Sequence, residues 1–301
     1  TRVANIIVHP LTMDGVKRIF EESVLSQITP SGDKNITVMY GTKLSGSASS
    51  RAHIRTVNFR EAHCKSGVRG IITAMGDGHQ IPSNTVFFML DGMVHGHEAK
   101  LMKAFCDDDA KVLPRAKKTM YITCSEASWR KRRARVSKDI PISLVEFCHV
   151  VTEPPAANIQ GKNRLYLPGT TQSDLLGPFD VPDNNVVWNV KHSEKAKIYG
   201  SAMVESGGRM EGDNVEAGPS PKGSDDVPLN YFSNDPRMYE EMDHMCNSLG
   251  WVDLTASNTD LCLQCVKKQK PYLGFLWTDA HLTAFKARIK QLVFELFQAQ
   301  G

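Results

Sequence analysis

Apolar residues recur along the chain in two kinds of pattern, which together predict an alternation of strands and helices. Short apolar runs predict strands at residues 35–40, 54–59, 71–75, 85–90, 118–124, 143–151, 186–190, 251–255 and 271–277. Apolar residues at helical spacing predict helices at residues 12–28, 98–105, 235–249, 260–268 and 279–297. Because strands that alternate with helices are typical of parallel sheets with helical crossovers, the pattern predicts an α/β fold.

One polar segment divides the chain. Residues 205–227 are rich in Gly, Ser, Pro, Asp and Glu and contain almost no apolar residue. Such a segment buries too little apolar surface to offset the entropy of ordering, so we predict a flexible linker or long loop there. We expect residues 1–204 and 228–301 to form two parts of the same α/β domain, with residues 186–190 and 197–199 as a hairpin or as edge strands.

The bulk composition narrows the class of protein only slightly. With 301 residues and 41% hydrophobic content the chain can bury a sizeable core, and a net charge of +3 by itself implies no partner. Seven cysteines without a framework spacing favour a reducing, intracellular compartment, and they leave nucleus, cytoplasm and organelle open. No apolar run approaches the length of a membrane span, so we expect no membrane-spanning segment.

The last fifth of the chain carries the most informative motif, a strand, a turn, a helix and a second strand. The first strand and its turn read V-D-L-T-A-S-N-T-D at residues 252–260, and the second strand reads Y-L-G-F at residues 272–275. The first run resembles the L-D-P-F-x-G-S-G-T loop of circularly permuted S-adenosylmethionine-dependent methyltransferases that modify exocyclic amino groups of nucleic acid. The second matches the f-i-G-i strand of that family, in which both strands come near the carboxyl end.

The resemblance implies a fold and a strand order. The fold would be a Rossmann-like, mostly parallel sheet of the seven-strand type, flanked by helices on both faces, in circularly permuted methyltransferase order. Residues 71–77 would form the third strand, residues 85–91 the catalytic fourth strand and residues 118–124 the fifth.

The resemblance also assigns the site residues. Asp77, Asp91 and Asp253 would converge along a single edge of neighbouring parallel strands. S-adenosylmethionine would lie against Asp77, Asp253, Ser257 and Thr259, and Asp91 would hold the target amine. An E-P-P run beginning at Glu153 is a second placement of the catalytic motif, which we rank below Asp91.

The site departs from the family pattern in ways that bear on activity. Ser257 and Thr259 replace glycines that let the cofactor approach the backbone, and the catalytic D-P-P-Y is matched only by D-G-M-V starting at Asp91. We therefore predict a methyltransferase-like, nucleic-acid-associated protein with weak or no activity, acting as a scaffold or as a partner of another protein. The alternatives are an active methyltransferase and a structural subunit of a larger assembly whose cleft is empty and binds no cofactor.

Several of these residues have a simpler structural interpretation. Asp253 either binds a cofactor or caps the turn that follows it, and Asp77 and Asp91 stand beside glycines in common turn pairs. Cys262 and Cys265 are spaced like zinc ligands, but inside a predicted helix we expect them to pack in the core, and we predict no metal site.

The densest positive charge lies in the middle of the chain. The cluster consists of Arg130, Lys131, Arg132, Arg133 and Arg135. Five cations in six residues would make salt-dependent contacts with phosphates, which predicts a nucleic-acid-binding segment. A solvated face or a localisation signal is the competing interpretation.

Overall fold

The computed structural model describes residues 4–8, 12–41, 53–76, 80–91, 97–106, 118–123, 145–153, 186–191, 226–231, 236–256, 259–276 and 279–300. The strands are β1 (Ala4–Val8), β2 (Asn35–Gly41), β3 (Thr85–Leu90), β4 (Lys118–Thr123), β5 (Val145–Thr152), β6 (Val186–Lys191), β7 (Asp226–Tyr231), β8 (Ser248–Asp253) and β9 (Tyr272–Leu276). The α-helices are α1 (Met13–Glu21), α2 (His53–Met75), α3 (His97–Lys103), α4 (Pro236–Cys246), α5 (Asp260–Lys267) and α6 (Asp279–Gln300).

Seven strands form one sheet in the order β1-β9-β8-β2-β3-β5-β4. The first five in that order run parallel to one another, and β5 runs antiparallel to both of its neighbours. Strands β3 and β9 are buried along their whole length, as expected where helices cover both faces of a parallel sheet. The prediction of a mostly parallel, Rossmann-like α/β sheet is confirmed.

Two apolar clusters lie on opposite faces of this sheet. One joins α1, α2 and α3 to alternate residues of β2 and β3, including Val38 and Phe87. The other joins α4, α5 and α6 to the intervening residues, including Met39 and Phe88. Alternation along each strand thus divides the core between the two helical layers. Gly70 lets α1 approach α2 closely, because a Cβ there would lie 2.6 Å from Val16 Cβ.

Asparagine side chains close the edge at which β2, β3 and β8 begin. Asn84 and Asn247 have positive φ angles of 58° and 47°, a conformation that asparagine adopts more readily than most residues. Asn84 Nδ2 donates to the carbonyls of Gly32 and Lys34, each at 2.9 Å. Asn247 Nδ2 donates to Asp33 Oδ2 at 3.1 Å. Hydrogen bonds between neighbouring residues thus close the edge of the sheet at which these strands begin. A ligand site is better sought at the opposite edge, where the strands end.

The predicted strands at residues 54–59 and 71–75 are wrong, because both segments lie within the 23-residue helix α2. Val68, Ile71 and Ile72 are buried on one side of that helix. Their spacing of three and four residues is helical, and the run at 71–75 is only the end of that stripe. The third strand expected over residues 71–77 therefore does not exist as predicted.

Asp91 and Asp253 were expected on neighbouring strands, and this prediction is also wrong. Residues 85–90 form a strand as expected, but β2 lies between β3 and β8. Residues 118–123 form β4 at the far edge of the sheet, with β5 between it and β3. β1, which the sequence pattern did not predict, pairs with β9 at the other edge.

β6 is paired with a strand that the sequence pattern did not predict. β6 pairs antiparallel with β7, so residues 226 and 227 at the end of the predicted linker belong to a strand. Their pairing with β6 provides the backbone partners that the linker composition did not suggest. Residues 197–199 and 205–225 lie outside the described ranges.

Candidate functional site

The sheet has a topological switch point between β8 and β2. β8 continues through α5 to β9 on one side, and β2 continues through α2 to β3 on the other. Chain segments that leave the carboxyl ends of two such strands diverge and open a crevice, which is where ligands bind in open α/β sheets. The candidate site is therefore the crevice at the carboxyl ends of β8 and β2, beside the turn after β8 and Gly41.

Three backbone amides of the turn after β8 donate hydrogen bonds within the protein and hold the turn in place. Leu254 N donates to the Met39 carbonyl at 3.0 Å, and Ala256 N donates to the Phe275 carbonyl at 3.2 Å. Thr255 N donates to Asp253 Oδ1 at 3.1 Å. These three successive amides, which a phosphate- or ribose-binding loop would direct at its ligand, are all used within the protein.

The side chain of Thr255 connects the turn after β8 to the end of β2. Its hydroxyl oxygen accepts a hydrogen bond from Gly41 N at 2.7 Å. Gly41 is the last residue of β2, so this contact sets the direction in which the chain leaves that strand. Residues 42–52 come next and are not among those described.

Asp253 lies beneath the turn and points into the core. The residue is 5% exposed, and Tyr272 OH donates to its Oδ2 at 3.1 Å. Burial raises the pKa of the Asp253 carboxyl to about 7, against the opposing effect of the hydrogen bonds from Thr255 and Tyr272. The tyrosine ring reaches this position by crossing Gly274, where a Cβ would lie 2.7 Å from the ring. Of the two interpretations of Asp253, the structure shows the turn-capping contact.

Asp91 lies at the same carboxyl-terminal edge but one strand further along. It follows β3, so two strand spacings, or about 10 Å, separate its strand from that of Asp253. Its backbone N donates to the Phe147 carbonyl at 3.0 Å, and its Oδ1 accepts from Phe147 N at 3.1 Å. The buried Asp91 carboxylate thus extends the pairing of β3 with β5.

The buried His149 pairs with Met89, two residues before Asp91. His149 Nδ1 is 3.5 Å from Thr119 Oγ1 and 4.0 Å from Glu98 Oε1. Burial lowers the pKa of His149, and the negative charge of Glu98 partly opposes that effect. At neutral pH the imidazole is therefore neutral, and it adds no positive charge to this edge.

The second placement of the catalytic motif is wrong. β5 runs antiparallel to β3, and its last residue, Thr152, pairs with Val86 near the start of β3. Glu153 therefore lies at the edge opposite Asp253. No carboxylate there can reach the switch-point crevice.

The other predicted site residues divide into two groups. Thr259 is described: it is buried at the start of α5, and its carbonyl accepts a hydrogen bond from Leu263 N at 2.8 Å. Outside the described residues lie Asp77, Ser257, Arg130, Lys131, Arg132, Arg133 and Arg135. Their roles stay predictions.

Cys262 and Cys265 pack in the core on α5, as expected. Burial raises the pKa of the Cys262 thiol to about 12 and holds that of Cys265 well above its usual value. Thiols that keep their protons are poor metal ligands. Over the ranges that the structure describes, no three His, Cys, Asp or Glu side chains come together as a metal site, and no helix is long and apolar enough to cross a membrane.

Two residues that hold the turn after β8 in place were missed from the sequence, Gly41 and Tyr272. A signal for Gly41 existed, because the strand predicted at 35–40 is followed by a Ser/Gly/Ala loop at residues 44–50. A small-residue loop directly after a buried strand is a common ligand-binding arrangement. Nothing in the pattern indicated that the Tyr272 ring would reach Asp253, since this contact depends on the register of β8 and β9.

Comparison with known proteins identifies similar folds only. No protein-family model matches the chain, and no curated protein matches its sequence. The structure of M1.HpyAVI in complex with SAM is similar at 8% identity and a TM-score of 0.45, over 95% of this chain and 98% of that one. TTHA0409 from Thermus thermophilus, described as a candidate DNA modification methylase, is similar at 10% identity and a TM-score of 0.42, over 96% and 94%. At this level neither structure says anything about the chemistry of this chain.

Proposed function

We propose that this chain is a methyltransferase-like, nucleic-acid-associated protein whose methyl-transfer activity is weak or absent and which acts as a scaffold or partner subunit. The strand order supports the class. Two adjacent parallel strands from the carboxyl-terminal part of the chain, β8 and β9, stand beside β2 from the amino-terminal part, with the switch point between the two parts. Strands from the two ends of the chain that pair side by side support the proposal of a permuted order, which the resemblance of residues 252–275 implies.

The proposal of weak or absent activity rests on the hydrogen bonds that hold the turn after β8 in place. A cofactor held against this turn would need free amides, but those of Leu254, Thr255 and Ala256 already donate within the protein. It would also need a carboxylate that faces the crevice, but both oxygens of Asp253 accept hydrogen bonds from buried neighbours. These contacts support the proposal that the turn after β8 does not hold S-adenosylmethionine.

Calorimetric titration with S-adenosylmethionine tests this proposal. We expect no binding with a dissociation constant below about 1 mM at about pH 7.5, because opening the turn would break three buried hydrogen bonds at about 1 kcal/mol each. The matched variant is Asp253→Asn, which keeps an acceptor for Thr255 N. Micromolar binding by the wild type that this variant loses would support the active methyltransferase instead.

The association with nucleic acid rests on the basic cluster at residues 130–135. Titration with a duplex of about 20 base pairs is expected to show binding that weakens about 100-fold between about 50 and 200 mM salt, as for about four phosphate contacts. Replacing Arg130, Arg132 and Arg133 with glutamine should abolish most of it. The control replaces Lys17, Arg18 and Lys267, an equal charge on other helices. Binding that ignores salt, or an equal loss in the control, would contradict a phosphate contact by this cluster.

A structural subunit of a larger assembly is a second candidate function. One observation favours it, the exposure of Phe294 and Phe297 on the last helix. Contiguous exposed apolar patches mark interaction surfaces, and two neighbouring exposed phenylalanines contribute to such a patch.

A further inference from the structure

The turn after β8 has an anchored part and a part that is held more weakly. Leu254 is the anchor: its side chain is buried in the apolar cluster of α1, α2 and α3, and its amide donates to the Met39 carbonyl. Thr255 and Ala256 are also buried, but their side chains are small, so moving them exposes little apolar surface. The turn can therefore open at Thr255 and Ala256 while Leu254 stays in the core.

Asp253 connects the weakly held part of the turn to the core. Its Oδ1 accepts from Thr255 N and its Oδ2 accepts from Tyr272 OH, each at 3.1 Å. The residue is buried, so an ionised carboxylate at this place has two hydrogen bonds but almost no contact with water. A buried charge of this kind is unfavourable, and the cost falls once water reaches it.

The described groups that face Asp253 supply no balancing positive charge. α5 contributes Cys262 and Cys265, and β9 contributes Tyr272. Burial raises the pKa of all three groups, and the negative charge of Asp253 adds to the effect, so they keep their protons and are uncharged at neutral pH. β2 places the uncharged Met39 beside Asp253. Relief of a negative charge on Asp253 must therefore come from water.

We propose that ionisation of Asp253 opens the turn after β8 at Thr255 and Ala256, which makes this turn a pH-dependent gate of the switch-point crevice. The carboxyl releases its proton to solvent, and water replaces Thr255 N as the partner of Oδ1. As the turn moves away, Thr255 Oγ1 also leaves Gly41 N, from which it accepts a hydrogen bond at 2.7 Å in the closed turn. Opening thus frees the backbone N–H groups of Gly41, Thr255 and Ala256 at the carboxyl ends of β2 and β8.

The pH range of the gate follows from the two environments of the Asp253 carboxyl. Burial raises its pKa from 3.8 to about 7 in the closed turn, whereas water around the open turn returns it toward 3.8. The closed turn binds the proton more tightly, so acid favours the closed form and loss of the proton favours the open form. The ratio of open to closed turns should therefore rise about tenfold per pH unit between these two values and level off above about pH 7.

Amide hydrogen exchange of the whole chain, followed by NMR between about pH 5 and 8, tests the gate. After division by the intrinsic exchange rate at each pH, exchange at Thr255 and Ala256 is expected to rise about 100-fold over this range. In Asp253→Asn it should not vary with pH. Asp14→Asn, which removes one negative charge at an exposed position on α1, is the control and should keep the rise.

Amides of the interior strands distinguish opening of the turn from unfolding of the protein. Val38 N and Phe87 N lie in β2 and β3, within the buried sheet, and exchange there reports global unfolding. Thr255 and Ala256 should exchange at least about tenfold faster than these two at every pH. Equal rates would overturn the gate, because the turn would then open only when the protein unfolds. A rise with pH that persists in Asp253→Asn would overturn it as well.

Tyr272→Phe tests whether Asp253 is the group that titrates. The hydrogen bond from Tyr272 OH lowers the pKa of Asp253 against the larger effect of burial, so its loss raises that pKa further. The rise in exchange at Thr255 should then level off about one pH unit higher than in the wild type. A levelling point that does not move would contradict the titration of Asp253 as the cause of opening.

Tyr272→Phe keeps the buried ring, so this variant is expected to fold and to be comparable with the wild type at every pH.

Discussion

Replacing Asp253 with asparagine is expected to stabilise the protein by about 4 kcal/mol at about pH 8.5 and to leave its stability almost unchanged below about pH 4. Burial raises the pKa of this carboxyl from 3.8 to about 7. Each pKa unit corresponds to about 1.4 kcal/mol, so the difference between the folded and unfolded states amounts to about 4 kcal/mol.

Asp253 lowers the stability at high pH because the folded state binds its proton more tightly than the unfolded state does. Below pH 3.8 the carboxyl is protonated in both states, and Asp253 costs the folded state nothing. As the pH rises toward 7, the unfolded chain releases its proton while the folded chain keeps it, so stability is lost over that range. Asparagine does not titrate, and its side chain can still accept from Thr255 N. The gain from the substitution should therefore grow between about pH 4 and 7 and then level off.

Urea unfolding of both proteins at about pH 4, 5.5, 7 and 8.5 measures this gain. Asp14→Asn, at an exposed position in the first turn of α1, controls for the removal of one negative charge. A gain that does not vary with pH would show that the Asp253 carboxylate is not desolvated. A loss of stability at high pH would show that its charge is needed in the fold.

The outcome bears on function because a cofactor-binding acid and a turn-capping acid have opposite requirements. A carboxylate that binds a ribose must stay ionised and face the crevice, whereas Asp253 is oriented toward Tyr272 beneath α5. A stabilising asparagine would show that the fold disfavours the ionised carboxylate, as expected for an acid that caps the turn and faces the core.

The apolar pattern of the sequence predicted the secondary structure of the carboxyl-terminal part of the fold. β8, α5, β9 and α6 were predicted close to their observed bounds, because each has an uninterrupted apolar pattern at one period. α2 was not predicted, because residues 71–75 are apolar enough to resemble a strand when read apart from the rest of the helix. Short apolar runs do not distinguish the two states.

The expected site differs from the observed one because of strand order. Residues 71–77 and 85–91 were expected to form strands that neighbour the strand of Asp253, but β2 lies between β8 and β3. Asp91 was therefore expected one strand closer to Asp253 than it lies. Strand neighbours more than 200 residues apart, such as Met39 and Asp253, follow from sheet order and not from local pattern. For the same reason the contact between Gly41 and Thr255 could not be predicted.

Asp243, the other acid beside the β8 strand, should show the opposite behaviour. Replacing it with alanine is expected to destabilise the protein by about 2–4 kcal/mol at about pH 7. Its carboxylate accepts from Lys268 Nζ at 2.9 Å, from Lys270 Nζ at 2.7 Å and from Trp251 Nε1 at 3.1 Å. The substitution leaves the buried indole N–H and two partly buried ammonium groups without this acceptor. The lysine side chains are 34% and 24% exposed, so water compensates part of the loss, which lies below that of a fully buried ion pair.

The pH dependence of that loss separates the charge from the hydrogen bonds. The hydrogen bonds from Lys270, Lys268 and Trp251 lower the pKa of Asp243, although burial opposes them. Its stabilisation is therefore complete above pH 3.8 and is lost as the pH falls through the lower pKa of the folded state. Asp243→Asn keeps an acceptor for Trp251 but no charge, and we expect it to cost about half as much as alanine at about pH 7. Thermal unfolding at about pH 7 and about pH 2.5 measures both variants. If asparagine were as costly as alanine, the ion pairs would carry the stabilisation, and if it were neutral, the charge of Asp243 would contribute nothing.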